Sequence, residues 1–135
     1  VMTIEAIEQE AVTNLAALVD GGQMPALAGF AIDSLAGQVD LENDQLQIAT
    51  PSLLVAVVGA DHAGGAAAEA DTLQLAFVAV VPGTDQKVRR QTAMDALMAI
   101  RRWMDEYDTP YVPTATRTER LHPMTVAALF ANRIG

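Results

Sequence analysis

Residues 52–59 and 72–81 constrain this chain most, because both read as β-strands and together they require a sheet. The run Ser-Leu-Leu-Val-Ala-Val-Val-Gly at 52–59 is almost wholly apolar, the pattern of a strand buried on both faces. Pro51 stands ahead of it, where a missing N–H costs no ladder bond. Residues 72–81 alternate, with Leu73, Leu75, Phe77, Ala79 and Val81 on one side. The other side opens with Gln74 and continues with Ala76, Val78 and Val80, so its far end is expected to be covered too. Pro82-Gly83 ends the run. The intervening stretch holds Gly64-Gly65 and three alanines, small residues that suit an exposed loop tip. The expectation is an antiparallel pair built on residues 46–59 and 72–82.

Amphipathic helices flank the pair. Ile4, Ile7, Ala11, Leu15 and Leu18 recur at three- and four-residue steps, widened by Val12 and Val19, which predicts a helix over 4–20. Thr3 is placed to cap it and Gly21-Gly22 to stop it. Ala93, Leu97, Ile100, Met104 and Tyr107, extended by Val88, Ala96 and Trp103, predict a second helix over 85–107, capped by Thr84 or Asp85. Residues 23–45 read as a long surface excursion with a short helical turn near Ile32. The proline-bearing tail 111–123 reads as extended loop. Residues 124–133 fit helix or strand equally. The order implies an α+β fold, an antiparallel sheet with two main helices packed on one face, as one domain over 1–135. Leu15, Leu54, Val57, Leu75, Phe77, Leu97 and Ile100 are the expected core.

Composition excludes several classes. Of 135 residues 51% are hydrophobic and 19% charged, which is incompatible with a disordered chain. There is no cysteine, so disulfide scaffolds and thiolate zinc sites are excluded. A formal charge of −9 disfavours tight nucleic-acid binding and an anionic membrane surface. The longest apolar stretch, 53–60, is far short of the ~20 residues of a spanning helix, and the first residues lack the pattern of a secretory signal. The expectation is a soluble protein made inside a cell.

Motifs for chemistry are weak. His62 beside Asp61 and His122 beside Pro123 lack the local spacing of metal ligands. The acidic run Asp40-x-Glu42-x-Asp44 fails as a calcium loop, because Gln45 and Pro51 stand where glycine and glutamate are required. Neither a Gly-x-Ser-x-Gly elbow nor a phosphate-binding Gly-Lys-Ser/Thr loop occurs. No catalytic, cofactor-binding or metal residue is assigned, and no cofactor. Arg89, Arg90, Arg101 and Arg102 fall on the second helix, with Arg90 and Arg101 on a shared polar side. That side reads either as a solvated face with local ion pairs or as a docking surface for an acidic neighbour, and Arg90 and Arg101 are its candidate interface residues.

The chain as a whole resembles the tail-terminator, or tail-completion, proteins of Mu-like tailed phages and prophages. The resemblance is carried by Ile4-Glu5-Ala6-Ile7-Glu8, by Pro51-Ser52-Leu53-Leu54-Val55 and by the alternating residues 73–81. Lys87-Val88-Arg89-Arg90, Leu121-x-Pro123, Val126 and Leu129-Phe130 complete it. It implies a non-enzymatic structural subunit of a virion tail, assembled in the host cytoplasm. Such subunits are expected to form a homo-oligomeric ring, a hexamer, that caps the tail tube and receives the head–tail connector. Residues 23–45 and 60–70 are then the expected contacts between subunits or with the tube. An acidic ring would let DNA pass a lumen without adhering. The alternative is a small α+β enzyme or ligand-binding domain, for which a deep polar pocket would be the sign.

Overall fold

The computed structural model describes residues 4–34, 51–61, 72–107, 109, 111–121 and 124–134. Helix α1 (Ile4–Asp20) has the predicted bounds and buries Ile7, Ala11, Val12 and Leu15. Its end is a Schellman turn: Gly22 takes a φ of 74°, and the Gln23 N–H donates to the Leu18 carbonyl at 3.0 Å. The expected Thr3 cap lies outside the described residues.

Residues 23–34 are more regular than the sequence suggests. Pro25–Leu27 forms one 3-10 turn that drives Met24 and Leu27 into the core. Strand β1 (Ala31–Ser34) then pairs in parallel with β2 (Ser52–Asp61). The helical turn expected near Ile32 is therefore a strand: Ile32 is β-branched and packs its side chain against the core. The rest of that excursion, with the acidic run, lies outside the described residues.

Strands β2 and β3 (Thr72–Pro82) are antiparallel as predicted, with Val55 opposite Phe77. Helix α2 (Gln86–Glu106) follows, and the Asp85 side chain caps it by accepting from the N–H groups of Lys87 and Val88. Two further strands complete the sheet. The tail read as loop is β4 (Tyr111–Leu121), and the ambiguous segment is β5 (Met124–Ile134), which inserts between β3 and β4. The order is β1-β2-β3-β5-β4, antiparallel except for the β1–β2 pair. Prolines misdirect the reading of β4. As an edge strand it tolerates Pro113, and a bulge between Pro113 and Ala115 absorbs the irregularity.

The fold is α+β, two helices on a five-stranded, mostly antiparallel sheet. α1 packs over β1 and β2, while α2 packs over β3, β5 and β4. The core between the helices and the sheet holds Leu15, Leu53, Leu75, Phe77, Leu97, Ile100 and Leu129. Of the expected core, Val57 alone is not buried. The β2–β3 ladder shifts register just after it, and its N–H leaves the regular pattern to donate to Glu8 Oε1 on α1 at 2.9 Å. Leu54 is buried, but register puts it on the opposite sheet face with Ala56, Ala76 and Val80. Near that second face Val78, Val126, Ala128 and Phe130 are half-buried, and Val58 and Val112 are exposed.

Candidate interaction surface

Two arginines of α2 form i,i+4 ion pairs, Arg101 with Asp105 at 3.8 Å and Arg102 with Glu106 at 4.0 Å. Both pairs are well exposed, so each contributes a few tenths of a kcal/mol at most (~0.3–0.5). Arg90 is exposed on the same helix and has no ion-pair partner among the described residues. With Lys87, Gln91 and Met94 it lines an open groove of about 500 Å³. The structure thus places both candidate interface residues at the surface, one with its charge paired and one free.

Arg89 is different. Sequence reading grouped it with the polar side, but the residue is only 4% exposed. Its Nη1 donates to the Gly83 carbonyl at 2.6 Å and its Nε to Thr125 Oγ1 at 3.3 Å. It ties the start of α2 to the end of β3 and to β5. Tyr107 and Val88, expected on the apolar stripe, are exposed. They sit at the two ends of α2, where the sheet no longer faces the helix.

β4 runs along the outside of the sheet beside α2, and the Thr118 hydroxyl reaches Met94 Sδ at 3.6 Å. Ala115, Thr116, Arg117 and Thr118 are exposed. Lys87, Arg90 and Arg117 are therefore three exposed cations on adjoining elements, and none has an ion-pair partner among the described residues. Lys87 and Arg90 also lie in the first turns of α2, where the helix dipole disfavours positive charge. That placement does not serve helix stability.

Sequence reading missed a signal for this surface. Residues 1–86 hold twelve carboxylates and no lysine or arginine, a formal −12, whereas residues 87–135 hold eight basic residues against five carboxylates, a formal +3. The fold turns this division into a spatial one. α1 and β1 carry only acidic charges at one side of the sheet, and the basic residues of α2 and β4 occupy the other. One link crosses between them: Arg133 Nη2 on β5 donates to both oxygens of Glu10 on α1, at 3.2 and 3.3 Å.

No protein-family model matches the chain, nor does any curated protein.

A second concavity, about 470 Å³ and open, lies between the end of α1, the 3-10 turn and the second half of α2. Met24, Met98, Trp103 and Tyr107 supply apolar walls, with Asp95 and Arg102 among its polar groups. Among the described residues no three potential ligands cluster to hold a metal ion, and no helix is long and apolar enough to cross a membrane. His62 and His122 lie outside the described residues, as does most of the expected loop contact at 60–70.

Beneath these surfaces Tyr111 packs edge-on against Phe77, with ring centroids 5.7 Å apart, and against Trp103 at 5.6 Å. Its hydroxyl is buried without a hydrogen bond of good geometry, although the Arg133 guanidinium is close. Burial pushes the phenol pKa up, the Glu10 carboxylate adds to the rise, and Arg133 opposes it. A tyrosine in the unfolded chain ionises near pH ~10, below the folded value, so ionisation favours unfolding. This stability contribution is complete below pH ~10 and is lost as the pH rises through the folded pKa. Tyr111→Phe should leave stability unchanged at neutral pH or raise it by up to about 1 kcal/mol, and should lessen the loss above pH ~10. Denaturant melts at pH 7 and at pH 10–11 check this. A cost above about 1 kcal/mol at pH 7 would mean that the hydroxyl is hydrogen-bonded.

Proposed function

We propose that this chain is a structural subunit of a tailed-phage tail. In this reading it is a terminator whose copies close into a ring, a hexamer, capping the tail tube and joining it to the head connector. The observation that carries the reading is the one-sided charge of the folded subunit. A ring contact is heterologous and needs two different, complementary patches on each copy, and a subunit acidic on one side and basic on the other has them. The segments that carry the family resemblance also fall on elements consistent with it: α1, the start of β2, the length of β3, the start of α2, and β5. The half-buried apolar second face adds surface that an assembly can cover.

The test is binding to purified tail tubes, read by electron microscopy, together with native mass spectrometry across protein concentration. Rings that seat on tube ends are the expected result. A protein that stays monomeric at every concentration and never binds tubes would sink the reading. It would favour instead a small ligand-binding domain using the groove beside Trp103.

A further inference from the structure

The outer edge of β4 is the longest open strand edge among the described residues. β4 spans 11 residues and pairs with β5 alone. Proteins commonly protect such edges by keeping them short or by placing prolines, bulges and charges along them. Here Pro113 and the bulge at Pro113/Ala115 protect the first third, and from Ala115 to Leu121 the strand runs in unbroken register with β5. The adjoining cations Lys87, Arg90 and Arg117 discourage a second β4 from approaching, since like charges would then meet. They attract an acidic surface instead. The far side of the same sheet offers one: α1 and β1 hold Glu5, Glu8, Glu10, Asp20 and Asp33 and no basic residue.

We propose that the basic edge formed by α2 and β4 is a docking surface for a second copy of this chain, which presents its acidic α1–β1 side, head to tail. The proposal rests on the ring reading and deepens it by naming the two surfaces in contact. The charge division selects the occupant. A mirror-related pair of β4 edges brings basic to basic, whereas a head-to-tail pair brings the +3 segment to the −12 segment. The ion pairs of Arg101 and Arg102 leave those residues peripheral, so Arg90, Arg117 and Lys87 carry the contact.

Native mass spectrometry of wild type and Arg90→Glu/Arg117→Glu tests it, with circular dichroism and a thermal melt to establish folding. The double reversal should raise the dissociation constant between copies at least about tenfold, and Arg90→Lys/Arg117→Lys should stay within about threefold of wild type. Independently of any variant, raising sodium chloride from about 50 to about 500 mM should weaken wild-type association. Mixing resolves the geometry. The reversed variant keeps its acidic side, so it should bind wild type once and stop further growth. Mixed pairs tighter than wild-type pairs would mean that two basic edges meet in a mirror contact, which overturns the proposal. Equal association of wild type and the folded reversed variant also overturns it while leaving the ring intact. Wild-type copies that never associate overturn both.

Discussion

Leu97→Ala should cost about 2–5 kcal/mol, most of the stability a domain of this size possesses. Leu97 is 1% exposed, on the face of α2 that meets β3 and β5. The flanking core positions on the helix, Ala93 and Ala96, are already alanine and fully buried, so α2 lies close to the sheet there. Small neighbours leave little that could move into the space vacated by the leucine. The cavity term therefore adds to the lost transfer energy, and the cost belongs in the upper part of the range. A denaturant melt with an unchanged slope and a lowered midpoint is the expected signature. A loss below about 1 kcal/mol would show that the helix settles into the gap.

That prediction uses a residue assigned to the core from periodicity alone, and the reason it was legible is physical. α1, α2, β2 and β3 each bury a face at one period, so position along the chain encodes direction in space. β4 and β5 escape this logic for different reasons. β5 is central, flanked by β3 and β4, and carries apolar residues toward both faces, so Val126, Ala127, Ala128, Leu129 and Phe130 show no period at all. β4 lies at an edge and is largely exposed, so its signal is the recurrence of Thr114, Thr116 and Thr118 rather than of apolar residues. Prolines beside it outweighed that signal. Val57 was misplaced because a bulge cannot be read from alternation. The candidate surface was half legible: the arginines of α2 stand out in sequence, but burial divides Arg89 from Arg90. The partition of charge at residue 86 could have been counted from the start, and only the sheet order shows that it becomes two sides of one molecule.

Arg89→Met should destabilise the fold by about 2–4 kcal/mol, although it replaces a charge with an apolar side chain in a buried place. The methionine can follow the aliphatic stem of the arginine and keep its packing, so the cost comes from the polar atoms left behind. The Thr125 hydroxyl belongs to a residue only 1% exposed and loses the guanidinium donor; the Gly83 carbonyl lies in an exposed turn where water can replace it. The asymmetry predicts a partial rescue. Arg89→Met/Thr125→Val removes both buried partners and should recover roughly half of the loss, because replacing both ends of a hydrogen bond with apolar groups costs far less than replacing one. Denaturant melts of the two single variants and the double variant give the coupling directly. If the double variant is no more stable than Arg89→Met, the guanidinium acts through the Gly83 turn. Gly83 has a φ of 149°, in the region that favours glycine, and Arg89 would then be what holds that turn against the start of α2.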